Sequence, residues 1–201
     1  MTLSLAHSYF SRHFMWHLLA VLMLTPMSSH ASEWNIEQLM HSLAQTRSSH
    51  ASFVEKKTIA ILNKPVESSG ELFYSAPDHL EKRTIKPKLE SMILDHDTLV
   101  IERSRQKHRL QLQSYPELAV FIDSIRGTLA GDRKALEYNY RLSLDGNAEN
   151  WTLLLVPINE KMQAMVQRIS IIGKRDALRS IEISQSDGDS SLMLIEQQTT
   201  P

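Results

Sequence analysis

The stretch SGELFYSAPDHLEKRTIKPKLESMILDHDTLVIE, from Ser69 to Glu102, decides the fold. Three short β-type runs, Glu71–Ser75, His79–Ile85 and Leu89–Leu94, are separated by Ala76-Pro77-Asp78 and Lys86-Pro87. Proline lacks an N–H and fixes φ, so each proline marks a strand end or an edge. Asp95-His96-Asp97 is a turn-prone triplet, and a fourth run, Thr98–Glu102, follows it. This is the punctuation of an antiparallel meander.

Outward toward the N-terminus, Ser52–Leu62 reads as a long strand with a polar middle, Glu55-Lys56-Lys57-Thr58. After the turn Asn63-Lys64-Pro65, Val66–Ser75 returns as its hairpin partner, with Leu72 and Tyr74 on one face and Phe73 on the other. Further upstream, Ile36, Leu39, Met40 and Leu43 form a helical stripe in Asn35–Gln45. Asn35 and Gln38 are spaced as a capping box, and Trp34 sits before them as a staple.

Outward toward the C-terminus, Lys107–Gln113 alternates, and Ser114–Ala130 changes to helical period. Ser114-x-x-Glu117 has capping-box spacing, Pro116 falls in the first turn, and Gly131 is placed to end the helix. Leu118, Phe121, Ile122, Ile125 and Leu129 line one face. Two readings stand for it: a helix packed on a filled sheet, or a lid over an apolar cavity. Gly127, which costs about 1 kcal/mol relative to alanine, and Gly131 fit a helix able to shift.

The second half is strands again. Glu137–Leu144 alternates, Asp145-Gly146-Asn147 reads as a hairpin turn, and Asn150–Pro157 is apolar on both faces and calls for cover on both. Asn159–Met165 is a short helical connection. Val166–Ile172, Leu178–Ser184 and Ser190–Glu196 follow, joined at Gly173-Lys174-Arg175-Asp176 and Asp187-Gly188-Asp189. The whole predicts about ten strands, two helices and one helical connection, without βαβ alternation. The fold class is therefore mainly β: a single antiparallel sheet, which at this length must curl or close, with a helix against one face.

The 201 residues suit one domain, and 42% hydrophobic against 22% charged residues allows a real core. A net charge of -1 gives no footprint for nucleic acid. With no cysteine, disulfides, thiolate metal sites, cysteine catalysis and a lipid-modified N-terminal cysteine are excluded. Residues 1–31 read as a cleaved signal peptide: Arg12, the apolar run Leu18–Leu24, Pro26, and the small-x-small site Ser29-His30-Ala31. The mature domain then spans 32–201, exported to the periplasm; the run is too short to span a bilayer.

No nucleophile elbow, H-E-x-x-H or glycine-rich phosphate loop occurs, so the reading is a non-enzyme without cofactor. Asp95-His96-Asp97 reads as a solvated turn ahead of a metal site, and no metal is expected. Lys56-Lys57 and Lys82-Arg83 read as solvated strand faces, or as attractors of anionic headgroups.

The order Gly70-x-Leu72, Pro77, Leu80, Pro87, Glu90-Ser91, Ile93-Leu94, Asp97-Thr98-Leu99 resembles the periplasmic outer-membrane lipoprotein carriers, the LolA/LolB-like family. The likeness runs more loosely from about Trp34 to Ile195. It implies a half-closed β-barrel covered by helices that holds acyl chains. The cargo would be a lipoprotein or another lipid, received by a monomer from an inner-membrane donor and passed to an outer-membrane acceptor. The alternative is a structural or interaction domain whose sheet is filled by its own side chains. The cavity and lid residues implied are Leu72, Tyr74, Leu80, Leu118, Phe121, Ile122, Ile125, Leu129, Trp151 and Leu153. Family carriers often place an arginine before the first proline; Ala76 stands here, which implies a more readily opened cavity.

Overall fold

A computed structural model describes residues 34–198; the expected signal peptide lies outside the described residues. Eleven strands form one antiparallel sheet in the order β6-β5-β4-β3-β2-β1-β11-β10-β9-β8-β7, open between β6 and β7. Its first wing comprises β1 (Ser48–Thr58), β2 (Val66–Ser75), β3 (His79–Lys86), β4 (Glu90–Asp95), β5 (Thr98–Arg103) and β6 (Gln106–Gln111). The second comprises β7 (Tyr140–Asn147), β8 (Asn150–Pro157), β9 (Val166–Lys174), β10 (Ala177–Gln185) and β11 (Ser190–Gln197), which pairs back onto β1. The helices are α1 (Ile36–Leu43), α2 (Pro116–Ala130), α3 (Arg133–Asn139) and the single turn α4 (Glu160–Gln163).

The meander from β2 to β5 follows the expected punctuation, and both prolines stand just beyond strand ends in cis peptides. Asn35 caps α1 in a complete capping box with Gln38. Gly131 ends α2 in the left-handed conformation at φ 65°, where an added Cβ would lie 2.1 Å from Met40 O of α1.

Eleven strands laid flat at about 4.8 Å spacing would span roughly 50 Å, whereas α2 is about 22 Å long. Yet α2 touches both wings. Tyr140 of β7 donates to Val120 O at 3.2 Å, and Arg126 donates to His96 O in the β4–β5 turn at 2.9 Å. The sheet therefore curls around the helix into an incomplete barrel.

Several expectations are corrected. β1 starts and ends four residues earlier than Ser52–Leu62, because pairing runs from Ser48↔Ser75 to Lys57↔Val66. Ile59 and Leu62 form a turn beyond that ladder, and Ile61 is 90% exposed. The alternation from Glu137 conceals a helix: Asp132 accepts from Ala135 N and starts α3, which ends as β7 begins at Tyr140. Ser114 does not cap α2; Tyr115 is the N-cap and no side chain caps the helix. The β7–β8 turn falls at Ala148-Glu149, held by Asn147 Oδ1, with Gly146 still in the strand. Gly173 is a strand residue facing Trp151, whose ring a Cβ would meet at 2.0 Å. Strand β8 is covered on one face only: Trp151, Leu153 and Leu155 are buried, whereas Leu154 and Val156 are partly exposed.

Candidate functional site

All ten predicted cavity and lid residues lie between the helices and one face of the sheet, but they fall into two populations. Trp151 and Leu153 are 1% and 0% exposed and belong to a filled floor with Leu155, Ile169 and Ile171. The indole N–H of Trp151 is satisfied by Arg175 O at 2.9 Å. Leu72, Phe121, Ile125 and Leu129 pack only partly buried against that floor. Leu80, Leu118 and Ile122 pack partly buried on a second, smaller cluster built on Leu94, Leu99 and Leu112. Tyr74 is 4% exposed and pairs with Leu80 across β2 and β3.

The orientation of α2 explains this split. Its most buried positions are not its apolar stripe but Ser124, Gly127 and Thr128. Ser124 Oγ donates to Phe121 O and Thr128 Oγ1 to Ser124 O, which satisfies both hydroxyls within the helix. A Cβ on Gly127 would meet Leu136 Cδ2 at 3.0 Å, so this glycine allows the close approach of α3. The small-residue side of α2 is thus locked among helices, and its large apolar side chains lie only partly covered. Burial drives the Tyr140 hydroxyl, beside Ser124, up to about 12, so it remains a donor to Val120 O.

Alternation along the first wing adds groove residues that sequence reasoning missed. Met92 opposes Lys82 and Ile101, on the face of Leu80, Leu94 and Leu99. Both are partly buried, as are Ile183 of β10 and Met193 of β11. The result is an apolar floor under an apolar helical cover whose side chains still reach solvent.

A polar cluster closes one part of this face. Glu55 is 5% exposed. It accepts from Lys82 Nζ, from Ser191 Oγ at 2.8 Å and from Ser68 Oγ at 3.3 Å, with Lys57 Nζ at 3.6 Å. Burial pushes its carboxyl upward, but the charge and hydrogen bond of Lys82, with Lys57 and Ser191, outweigh that and hold it below its ordinary value. Lys82 also lies 4.9 Å over the Phe53 ring. It is therefore not part of a solvated face, as its position beside Arg83 suggested. The signal was present: Glu55 shares the parity of Ala51 and Phe53.

Among the turns, Asp78 and Asp95, rather than Asp97, converge on His96, at 3.8 and 3.0 Å. The hydrogen bond from Asp95 and the charge of Asp78 raise the His96 pKa above its ordinary value. Asp97 instead lies 3.7 Å from Arg126, which also pairs with Asp123 at 2.6 Å. Arg126 thereby ties α2 to the β4–β5 turn. At position 76, the alanine N–H donates to Arg47 O.

Comparison with known proteins places this geometry. The family model described as outer membrane lipoprotein carrier protein LolA-like matches residues 28–200. A search of curated proteins finds no match. Among solved structures, a LolA superfamily protein from Nitrosomonas europaea aligns at TM-score 0.41 and 10% identity, covering 84% of this chain and 96% of that one. The Mycobacterium tuberculosis lipoprotein LppX aligns at TM-score 0.47 and 8% identity, covering 83% and 94%. A chain of the Pseudomonas aeruginosa MucA/MucB complex aligns at TM-score 0.49 and 14% identity, covering 83% of this chain and 58% of that one. The assignment rests on the sequence match, which spans nearly all of the described domain: this chain belongs to the LolA-like outer membrane lipoprotein carrier family.

Proposed function

We propose that the mature domain, residues 32–201 after removal of a signal peptide at 1–31, is a periplasmic carrier of acylated cargo. In this reading α2 covers the acyl chains, which lie in the trough between α2 and the first wing. One observation carries the reading. The largest apolar side chains of α2 are only partly buried, while its small polar ones are fully buried. A helix selected solely to fill a core would bury its large side chains completely against the floor. Burying a methylene contributes about 0.8 kcal/mol, so acyl chains in such a trough are held by apolar area alone. Leu72, Leu80, Leu118, Phe121, Ile122, Ile125 and Leu129 contact the chains; Trp151 and Leu153 support them from beneath. Arg126 ties the cover to the sheet through His96 O and Asp97. The cargo comes from an inner-membrane donor and passes to an outer-membrane acceptor, driven by the acceptor's higher affinity.

A second reading, an interaction domain with a filled sheet, draws on the 0–1% exposure of Trp151, Leu153, Leu155, Ile169 and Ile171. Mass spectrometry of lipid extracted from the full chain purified from periplasm separates the two. The carrier copurifies with acyl chains; an extract free of them would favour the filled domain.

A further inference from the structure

One rim of the sheet carries charge and apolar surface that acyl-chain carriage does not use. Strands β1 to β6 pair antiparallel in chain order, so every second turn falls at the same end of the sheet. The β1–β2, β3–β4 and β5–β6 turns therefore share that end. At about 4.8 Å per strand, successive tips stand roughly 10 Å apart.

The first tip presents Ile61, 90% exposed, and Leu62, 48% exposed; the second presents Leu89, 70% exposed. A single exposed apolar side chain is ordinary. These, however, stand at the ends of neighbouring hairpins, with cations beside them. Lys64 lies in the first turn, Lys86 and Lys88 flank Pro87 at the second, and Arg105 lies in the third; all four are exposed. Among the described residues, none of the four has an ion pair, whereas the nearby acids are engaged. Glu67 faces Lys56 at 4.0 Å, Glu90 faces Arg103 at 3.7 Å, and Glu102 pairs with Lys107. On the β11 side the sign reverses: Asp189 of the β10–β11 turn accepts from Ala60 N at 2.8 Å, and Asp187 caps the same turn. The net charge of the chain is -1, so attraction to an anionic surface is a property of this rim and not of the whole molecule.

The shape of the rim decides the kind of partner. A protein interface needs a continuous patch with matched shape. Separate tips, each with an apolar end or a free cation, instead suit a lipid surface, which closes around each tip while the long cationic side chains stay with the phosphates. Pro65 and Pro87 carry no N–H, so fewer backbone donors lose water when the tips enter the headgroup layer.

We propose that this rim docks the protein on a membrane surface rich in anionic lipid, with Ile61 and Leu89 entering the headgroup layer and Lys64, Lys86, Lys88 and Arg105 meeting lipid phosphates. Docking of this kind does not depend on cargo, because none of these residues belongs to the floor or the helical cover.

Cosedimentation of the mature chain with vesicles tests it; that chain lacks the apolar run Leu18–Leu24, which would bind lipid by itself. Vesicles of two parts phosphatidylcholine to one part phosphatidylglycerol are compared with phosphatidylcholine alone. The anionic vesicles should bind roughly tenfold tighter or more, and a severalfold rise in salt above physiological strength should remove most of that advantage. Lys64→Gln/Lys88→Gln should weaken binding to anionic vesicles roughly 25-fold, at about fivefold per lost cation. Lys134→Gln/Arg179→Gln, which removes the same charge from exposed positions of α3 and β10, should bind as the parent does. Ile61→Ser/Leu89→Ser should bind roughly tenfold more weakly, with the unfolding temperature of the parent because both side chains are exposed. A parent protein without preference for anionic vesicles would overturn the proposal and leave a protein as the partner of this rim. Rim variants that bind as the parent does would overturn it as well, as would a control variant that loses as much affinity as the rim variants.

Discussion

Phe121→Glu distinguishes a cover from a core. Phe121 sits on α2 and packs partly buried against the main cluster. Full burial of a phenylalanine contributes about 1.5–3 kcal/mol, so a partly covered ring contributes roughly half of that. The new carboxylate can turn to water along the open trough, which avoids the several kcal/mol of burying an unpaired charge. The expected loss is therefore about 1–1.5 kcal/mol, or roughly 3–6 °C in unfolding temperature for a domain of this size. Leu153→Ala is the internal standard: at 0% exposure it should cost about 2–5 kcal/mol through lost contacts and a cavity. Thermal unfolding and titration with an apolar dye, on both variants, give the comparison. Phe121→Glu should keep most of its stability and lose most dye binding. If it unfolds more readily than Leu153→Ala, or binds dye as the parent does, the helix is not a cover and the argument fails.

Three further outcomes follow from the same geometry. The Glu55 carboxyl is held below its ordinary value of 4.5, so its contribution is complete above that pH and is lost as pH falls through the lower folded value. Glu55→Gln should cost about 2 kcal/mol at pH 7, less than a fully buried pair because Lys82 reaches solvent, and a denaturant series should show the deficit shrinking below pH 4.5. Arg126→Ala should cost about 1 kcal/mol and speed amide hydrogen exchange along α2, while the exchange of β8 and β9 stays as in the parent. Gly173→Ala places a methyl 2.0 Å from the Trp151 ring and should lower stability by about 3 kcal/mol or more in chemical denaturation.

The meander was legible because its breaks are chemical. Prolines after Ser75 and Lys86 and the polar triplet after Leu94 allow few alternatives, and strands β2 to β5 follow them. The register of β1 was not legible. Ile59, Ile61 and Leu62 are as strand-forming as Ser48–Ala51, and only pairing with β2 decides which are used. Helix α3 was hidden for a similar reason: Tyr138 and Tyr140 continue a period of two across a helix–strand junction, and Tyr138 is 81% exposed. The candidate site was readable as a set of apolar residues but not as two layers. The helical stripe names Phe121 and Ile125 without revealing that Ser124, Gly127 and Thr128 take the most buried side. That choice goes with α3, whose Leu136 packs so closely on Gly127 that an added Cβ would lie 3.0 Å from its Cδ2. The ion pair of Glu55 with Lys82 spans 27 positions and needed the sheet to bring it together.

Acyl-chain carriage requires that the trough bind chains according to their length. Displacement of an apolar dye from the mature chain by saturated fatty acids of ten to sixteen carbons measures this. A fully buried methylene contributes about 0.8 kcal/mol, or roughly a fourfold gain in affinity, and a half-open trough should yield at least about twofold per methylene. Affinity climbing at that slope is the predicted result; affinity indifferent to chain length would contradict it.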